Sequence, residues 1–464
     1  MPNQGSSTLR FALLAGLLTL APLAAASSES ARPTVVVDIH GAGAAAVAAL
    51  KQAEGVYWSA EFGSELLLAI DAEAEAAWLA RPGVRPGPGA LRREELWIRD
   101  HVCTHKALQP ALGSVGGYEV LRMPAASLKR LAASDASGFP LPADGVVARE
   151  AGNAEHLKAA RAAVPATRAV VDRIDAERWF QTMSALAAFN RNSFSPTLGS
   201  AHDWIRDALG AASDETATFS YTLEGLGNCG SPSPPAITIA NPIAFQYGSE
   251  APDEWIVIGA HYDSRNSSRC DGFAAPQPGA NDNASGCAGV IELARVFASV
   301  PTARTIVYTC FSGEEQGLWG SRRWVESLQV AGTIGRVRHM INLDMIGYDP
   351  SGSLDARIET NGANSGLIAQ YVAAAQTYAP ELNVITSTST GAYSDHWYFL
   401  AAGVPAMFTW ENGASIYPHY HQATDLPQNM TRARELAGAI LRMDAAVIVD
   451  LAGGTGLFED GFEE

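Results

Sequence analysis

The feature that most constrains the fold is an alternation of short apolar runs with longer helical stretches, which begins near Ile174 and continues almost to the end of the 464-residue chain. Runs typical of strands occur at 216–223, 236–239, 255–260, 305–310, 339–343 and 405–410. Stretches with helical periodicity occur at 176–190, 199–209, 284–300, 318–328, 365–378 and 432–451. Apolar strands that alternate with helices are typical of a mostly parallel central sheet with helices on both faces. The sequence therefore predicts an α/β domain over residues 169–452.

The part of the chain before this domain has a different pattern and is predicted to be a small α+β region. Its clearest elements are a strand at 34–39, a helix at 44–51 and a strand at 64–70. An Ala-rich segment at about 151–170, with Pro165 interrupting any long helix, is interpreted as an exposed linker. We interpret residues 27–168 as a pro-segment that assists folding or covers a site until it is cleaved. A permanent accessory domain is the alternative.

Both ends of the chain carry segments outside these two regions. Residues 1–26 combine Arg10, an apolar run at 11–23 and small residues before Ser27, which is the pattern of a secretory signal peptide. This run is shorter than the roughly 20 residues that cross a bilayer. The sequence therefore predicts export, to the periplasm or to the exterior. The acidic tail at 453–464 is either a sorting signal or a frayed terminus.

The composition excludes some classes of partner. A formal net charge of −17 argues against nucleic acid or an anionic membrane surface, because both require clustered Lys and Arg. After the first 26 residues no uninterrupted apolar stretch reaches 18 residues, so no membrane span is predicted. Export permits disulfides among the five cysteines, and the odd number leaves at least one of them unpaired. The pairing stays open.

Acidic and imidazole side chains follow the predicted strands at the points where they end. They are His261 and Asp263, Asp282 before the next helix, Glu314 and Glu315, Asp344, and the loop histidines His419 and His421. Taken singly, each has a structural explanation, such as a helix cap or a favourable charge in a first helical turn. Because the ends of parallel strands meet at one edge of a sheet, the combined pattern favours a metal site.

The donor types indicate which metal this site would hold. Oxygen and imidazole ligands without cysteine suit zinc, with manganese or cobalt as substitutes. Three ligating carboxylates and a bridging hydroxide would balance the charge of two divalent ions and leave one glutamate free as a base. Two such ions, about 3.5–4 Å apart, polarise a carbonyl group and lower the pKa of a bridging water. The spacing of His261 and Asp263 is typical of a metal ligand with its orienting partner.

Five motifs resemble, in the same order, those of the M28 family of co-catalytic zinc aminopeptidases. They are His261-Tyr262-Asp263-Ser264, Gly279–Gly286, Ser312–Gly317, Asn342–Met345 and Ser394-Asp395-His396. The resemblance spans about 175–450 and implies the zinc-exopeptidase (phosphorylase-like) fold. It also implies a secreted hydrolase with two zinc ions per chain that removes the N-terminal residue of peptides with a free N-terminus.

The resemblance also assigns roles by position. It implies that Asp282 bridges the two metals, that His261 and Asp344 complete one site, and that Glu315 and His421 complete the other. Glu314 would be the general base and acid, which takes a proton from the bridging water and passes it to the leaving amine. Asp263 would orient His261. We prefer His421 to His419 because Asp425 follows it at the family's usual spacing of four residues.

This chain departs from the family pattern in two places. Gln422 stands where the family usually has Thr, and Gly391 stands where some secreted members have a tyrosine that binds the substrate oxyanion. Tyr393 is the candidate replacement for that tyrosine. Apolar residues near the proposed ligands in sequence are expected to bind a large, Leu-like side chain, although several would alternatively fill the core. They are Met345, Met407, Phe408, Trp410, Ile416 and Tyr420.

Two other functions remain as alternatives to the peptidase. A glutaminyl-peptide cyclase shares this sheet but works with one zinc ion, and a receptor or binding module on the same fold is catalytically inert. The motifs around Glu314 and Asp344 are more similar to those of the peptidases, and this chain retains all six residues of the proposed centre. Metal content distinguishes the three functions, because it would be two, one or none.

Overall fold

The computed structural model describes most of the chain, namely residues 30–39, 42, 44–63, 65–100, 112–115, 118–122, 139–141, 146–151, 163–224, 229, 234–389, 393–411 and 417–453. The predicted signal peptide, Ile416 and the tail beyond residue 453 lie outside these ranges. None of the helices in the described ranges has both the length and the apolar character that a membrane span requires.

Seventeen strands and ten α-helices are present in the described ranges. The strands are β1 (Thr34–Asp38), β2 (Val56–Gly63), β3 (Glu65–Ile70), β4 (Val84–Pro86), β5 (Leu96–Asp100), β6 (Gly113–Val115), β7 (Tyr118–Arg122), β8 (Phe139–Pro140), β9 (Val146–Ala151), β10 (Glu215–Leu223), β11 (Ile237–Gln246), β12 (Ala251–His261), β13 (Arg304–Phe311), β14 (Val337–Leu343), β15 (Asp355–Thr360), β16 (Asn383–Ser389) and β17 (Ala406–Glu411). The helices are α1 (Ala44–Lys51), α2 (Glu75–Leu79), α3 (Pro165–Val171), α4 (Ala176–Ala187), α5 (Leu198–Gly210), α6 (Ser285–Phe297), α7 (Trp319–Val330), α8 (Leu367–Tyr378), α9 (His396–Ala401) and α10 (Ala433–Ala452).

One large sheet organises the molecule, with the strand order β10-β11-β13-β12-β14-β17-β15-β16-β9-β2-β3-β1-β4. Its central strands β13, β12, β14 and β17 run parallel. Successive side chains of β12 point to opposite faces of the sheet and pack in different hydrophobic clusters. Ile256 packs in the cluster that includes helices α4–α6, α8 and α10, and Val257 packs in the cluster that includes α7 and α9. The prediction of a parallel central sheet flanked by helices on both faces is confirmed.

The N-terminal region shares this sheet and part of its core with the rest of the chain. Strand β9 pairs antiparallel with β16 on one side and parallel with β2 on the other. A second sheet, in the order β6-β7-β5-β8, lies in the same region. The core of the region is completed by two side chains from the C-terminal part, Tyr393 and Phe408.

The structure corrects the predicted linker at its described C-terminal end, residues 163–170, whereas residues 152–162 lie outside the described ranges. Pro165 does not interrupt a helix but begins α3, where its fixed φ angle suits the first turn and its missing N–H is not needed. Thr167 and Val170 on this helix are buried. Strands β2, β15 and β16 and the short helix α9 were not predicted.

Two disulfides connect segments near the carboxyl ends of the central strands. Cys287 in α6 is bonded to Cys310 in β13, and Cys229 is bonded to Cys270 in the segment after β12. The first bond therefore joins the helix that follows Asp282 to the strand that precedes Glu314. Cys103 lies outside the described residues.

Candidate metal centre

His261 is the last residue of β12, and its ring is buried. Its Nδ1 lies 3.1 Å from the carbonyl oxygen of Asp263 and 3.6 Å from Asp263 Oδ1. Its Nε2 faces two other carboxylates, at 3.3 Å from Asp282 Oδ1 and 3.4 Å from Asp344 Oδ1. A carbonyl oxygen only accepts hydrogen bonds, so Nδ1 donates to it. Nε2 is the ring nitrogen that faces the carboxylates of Asp282 and Asp344.

The carboxylate of Asp263 positions the two adjacent glutamates that follow β13. It accepts the backbone N–H of Glu314 at 3.1 Å and that of Glu315 at 3.2 Å. It also accepts the hydroxyl of Ser193 at 3.1 Å. Asp263 thus contacts His261 chiefly through its backbone and the glutamate segment through its side chain.

Asp282 lies between the two candidate histidines. Its Oδ1 is 3.3 Å from His261 Nε2, and its Oδ2 is 3.0 Å from His421 Nε2. Gly279 makes the preceding turn with a φ of +44°, and a Cβ there would lie 2.2 Å from the carbonyl oxygen of Asp282. Only glycine fits this close approach of the backbone. The side chain of Asn283 accepts the backbone N–H of Gly286 at 2.8 Å, as a helix-capping residue does.

The described residues contain two groups of three buried side chains that could hold metal ions. The first is His261, Glu314 and Asp344, and the second is Asp282, Glu315 and His421. Within each group the ligand atoms all lie within 4.8 Å of one another. The structure thus brings together the five predicted ligands and the predicted base. Glu314 Oε2 is 3.9 Å from His261 Nε2, which is farther than the Asp282 and Asp344 oxygens are from the same nitrogen.

The donors of these groups fit divalent cations. Glu314 Oε1, Glu315 Oε1 and Asp344 Oδ1 are buried and form no hydrogen bond with any of the described residues. Buried carboxylate oxygens without a partner are costly, and a metal ion would satisfy them. Imidazole nitrogen and carboxylate oxygen are ligands that zinc accepts.

Burial and neighbouring charges alter the acidity of the centre. Burial raises the pKa of Glu314 well above its usual range, and the nearby Glu315 and Asp344 raise it further, against the effect of His261. Burial also acts to raise the pKa of Asp282, but its contacts with His261 and His421 bring it below the usual value. The two carboxyl groups therefore differ in proton affinity, which is typical of sites that transfer protons.

The described substrate-binding candidates divide between a cluster near the ligands and the cores, and Trp410 contacts both. Met345, Trp410 and Tyr420 pack in one cluster with Tyr348 and Tyr417, beside the metal ligands in sequence. The ring of Tyr420 stacks on His421 with 3.6 Å between ring centroids.

The remaining predicted pocket residues that the structure describes belong to cores. Met407 is fully buried in the main core, and Phe408 and Tyr393 are buried in the core shared with the N-terminal region. The ring of Phe408 stacks on that of His396. These three side chains therefore pack against neighbouring elements.

Sequence reasoning missed several residues that support the ligands. Ser394 donates its hydroxyl to Asp344 Oδ2 at 2.6 Å and accepts from Asn342 Nδ2 at 2.8 Å. Arg265 forms an ion pair with Glu315 Oε2 at 2.8 Å and also contacts His421 Nδ1. The Ser-Asp-His motif points to Ser394, whereas no local pattern identifies Arg265.

Buried Arg191 holds the backbone behind the centre. Its guanidinium donates to the carbonyl oxygens of Tyr262, Leu186, Pro278 and Gly279, at 2.6, 2.6, 2.8 and 2.8 Å. Burial lowers the pKa of this guanidinium to about 10, so it remains a cation at neutral pH. A single buried cation thus joins the end of β12 to the turn before Asp282.

Comparisons with known proteins agree with this geometry. Residues 242–443 match the model of the family described as "Peptidase family M28". A protein named "Probable zinc metalloprotease" from Pyrenophora teres f. teres is 34% identical over 189 residues, which cover 39% of this chain and 38% of that relative. Aminopeptidase YwaD from Bacillus subtilis is 31% identical over 183 residues, which cover 39% of this chain and 37% of that relative. This chain therefore spans less than half the length of these curated relatives.

A solved structure extends the similarity beyond the matched segment. The LapA aminopeptidase of Legionella pneumophila is 18% identical and superposes with a TM-score of 0.52, covering 77% of this chain and 98% of that one. At this identity the similarity shows a shared fold. The family match falls on the segment that carries His261, Asp282, Glu314, Asp344 and His421. Residues 242–443 of this chain are therefore similar to peptidase family M28.

Proposed function

We propose that the chain is an exported zinc aminopeptidase that hydrolyses the N-terminal residue of peptides, with a preference for large apolar side chains such as Leu. The observation that carries the proposal is the position of Asp282, whose two oxygens face His261 and His421 at 3.3 and 3.0 Å. A carboxylate in this position is suited to bridge two metal ions. The family match and the similarity to an aminopeptidase from Bacillus subtilis support the same function.

Five residues would hold the metal ions. His261 and Asp344 would bind one zinc ion, Glu315 and His421 would bind the other, and Asp282 would bind both. When bound, zinc supplies Lewis-acid activation of a water molecule and of the scissile carbonyl group. Ser394 fixes the carboxylate of Asp344 through its hydroxyl.

Glu314 would transfer the proton during hydrolysis. Its backbone N–H is held by Asp263, and its Oε1 forms no hydrogen bond with the described part of the chain. The raised pKa of the buried carboxyl group favours uptake of a proton from the attacking water. The same group would then donate that proton to the leaving amine, which restores the carboxylate.

The cluster of Met345, Tyr348, Trp410, Tyr417 and Tyr420 would form the apolar wall that receives the N-terminal side chain. Met345 directly follows Asp344, and Tyr420 directly precedes His421, so this wall is continuous with the metal ligands in sequence. An apolar pocket discriminates by only about 1–3 kcal/mol per methylene group, so several residues would be accepted.

Export is supported by the two disulfides, because such bonds persist in oxidising compartments. Mass spectrometry of the protein recovered outside the cytoplasm would test this part of the proposal. A mature chain that begins at Ser27 is expected, and retention of the first 26 residues would contradict it.

The decisive experiment measures zinc per chain together with hydrolysis of Leu-p-nitroanilide, with and without an N-acetyl block. Two zinc ions and cleavage of only the free-amine substrate are expected. The same protein treated with a chelator is the control and should lose activity. One zinc ion with cyclisation of an N-terminal glutamine would instead identify a cyclase, and a chain without zinc or hydrolysis would identify a binding module.

A further inference from the structure

Glu411, at the end of β17, is a buried carboxylate outside the two candidate metal-binding groups. The residue is only 1% exposed. Its Oε1 accepts Nδ2 of Asn281 at 2.9 Å, and its Oε2 accepts the backbone N–H of Tyr348 at 2.7 Å. Both partners are donors, so each carboxylate oxygen accepts its own hydrogen bond. Glu411 therefore connects the turn of Asp282 to the segment 345–348.

The backbone of Glu411 holds the same segment. Its N–H donates to the carbonyl oxygen of Met345 at 2.8 Å. Met345 and Tyr348 both belong to the apolar cluster that we propose as the wall for the substrate side chain. One residue of β17 thus fixes two residues of this wall, one through its backbone and one through its side chain.

Asn281 connects the segment 345–348 to the proposed bridging position. It directly precedes Asp282 in the chain. Its Oδ1 accepts the backbone N–H of Gly347 at 3.0 Å, and its own N–H donates to Asp425 Oδ1 at 2.9 Å. A displacement of the segment would therefore act on the backbone next to Asp282.

These contacts form a closed circuit. The ring of Tyr348 lies against that of Tyr417, with 4.8 Å between the centroids, and the Tyr417 hydroxyl donates to Asp425 Oδ1 at 2.6 Å. Asp425 accepts the N–H of Asn281, and Glu411 joins Asn281 back to Tyr348. The circuit thus includes two side chains of the proposed wall and the residue that precedes the proposed bridging ligand.

We propose that Glu411 is a positioning residue that couples the fit of the substrate side chain to the position of Asp282. A large apolar side chain packs against the wall and holds the segment 345–348 in place. Glu411 and Asn281 pass this constraint to the turn of the bridging carboxylate. Binding energy from a part of the substrate that does not react is thereby used at the reacting centre. The preference for Leu over Ala should therefore appear in kcat as well as in KM.

Replacement of Glu411 by Gln breaks the circuit with little change in shape. The amide has one oxygen and one NH2 group, whereas both positions face donors. The NH2 group must oppose either Nδ2 of Asn281 or the N–H of Tyr348, so a buried donor loses its acceptor. Adding Asn281→Asp reverses the mismatch, because the new carboxylate can accept both this NH2 group and the N–H of Gly347. The double variant also keeps the total charge of the pair.

The test measures kcat and KM of the full-length, zinc-loaded protein on Leu- and Ala-p-nitroanilide, together with zinc per chain. Glu411→Gln should retain two zinc ions and lower the Leu-to-Ala ratio of kcat at least fivefold. The double variant Asn281→Asp/Glu411→Gln should return the ratio to within twofold of the wild type. Glu292→Gln is the matched control and should leave the ratio unchanged. Glu292 is also buried, but it accepts the N–H of Asp175 at 2.7 Å and lies outside the circuit.

Three outcomes would overturn the inference. A merely structural role of Glu411 would lower the turnover of both substrates alike and leave the ratio of kcat in place. A folded double variant whose ratio stays more than twofold below that of the wild type would show that the hydrogen bonds do not carry the preference. The third outcome needs no variant and decides the question even if Glu411→Gln does not fold. It is a wild-type preference for Leu that is confined to KM.

The inference rests on the proposed aminopeptidase function, and the same assay separates the two failures. A wild type that hydrolyses neither substrate would refute the proposed function. A wild type that hydrolyses both, with a Leu-to-Ala ratio insensitive to Glu411→Gln, would refute only the role of Glu411.

Discussion

The carboxylate of Asp425 accepts the backbone N–H of Asp282, with 3.0 Å between Oδ2 and the nitrogen. Its other oxygen accepts the N–H of Asn281 at 2.9 Å and the hydroxyl of Tyr417 at 2.6 Å. The residue four positions after His421 therefore holds the residue that faces both histidines. This explains the spacing in terms of geometry, because the loop of His421 and the turn of Asp282 are fixed to each other.

Replacement of Asp425 by Asn should weaken metal binding. An amide group presents one donor where the carboxylate presents an acceptor, so a buried N–H loses its partner at a cost of about 1–3 kcal/mol. Calorimetric titration with zinc and the midpoint of thermal unfolding are the measurements. Tyr417→Phe is the control, since it removes one hydrogen bond and leaves both backbone contacts, and it should cost only about 1 kcal/mol. Wild-type zinc affinity in Asp425→Asn would disprove this role.

Replacement of Glu314 by Gln should keep the metal and abolish most turnover. A general base contributes about 10²- to 10⁴-fold to the rate, and an amide cannot take up the proton. Zinc content and kcat on Leu-p-nitroanilide are measured in parallel, with the partly exposed Glu326→Gln on α7 as the control. Loss of one zinc ion from Glu314→Gln would instead make Glu314 a ligand, in keeping with its place in the group of His261 and Asp344.

Replacement of Asp282 by Ala should remove both metal ions, whereas replacement of Asp344 by Ala should remove one. The reason is that the carboxylate oxygens of Asp282 face both His261 and His421. Of these two histidines, Asp344 faces His261. Elemental analysis after dialysis gives the stoichiometry, and circular dichroism verifies that each variant is folded. A folded Asp282→Ala that retains two zinc ions would rule out the bridging position.

His339 should make the fold less stable in acid. It is buried on β14, and its Nε2 lies 2.9 Å from the hydroxyl of Tyr371. Burial lowers its pKa to about 4, whereas the unfolded chain has a histidine pKa of about 6.5. Between these values the unfolded state binds the additional proton, so stability falls as the pH falls from 6.5 to 4, by up to about 3 kcal/mol.

Urea unfolding at several pH values within this window tests the prediction. Excess chelator is present throughout, so that release of metal does not contribute. His339→Gln keeps a hydrogen-bonding group opposite Tyr371 but does not titrate, and its stability should fall less steeply with acid than that of the wild type. Equal slopes for the two proteins would show that His339 is not responsible.

The central part of the fold was predictable because its signals are local. Strand β12, for example, contains a continuous apolar run at 255–260, and the helices between the strands have clear periodicity. Strand β15 was missed because its sequence, Asp355–Thr360, alternates charged and apolar residues and pairs with β16 and β17, which are distant in the chain. Helix α3 was missed because a proline is a breaker inside a helix but a favourable first residue.

The grouping of the candidate ligands was predictable for a related reason. They follow strands that end at the same edge of a parallel sheet, so sequence position alone places them together. Arg191 and Arg265 act through contacts with residues that are distant in sequence, such as the 71 positions from Arg191 to Tyr262, and no local pattern marks them. Asp425 was marked only by its spacing from His421, which did not reveal its contact with Asp282.

The shared sheet has a consequence for any cleavage of the N-terminal region. Strand β9 covers the hydrogen-bonding edge of β16, and the N-terminal core covers Tyr393 and Phe408. Loss of the region would leave an open strand edge beside apolar side chains, which is a template for pairing with another chain. Cleavage of the region would therefore expose a surface at β16 that favours pairing with another chain or with a rearranged segment of this one.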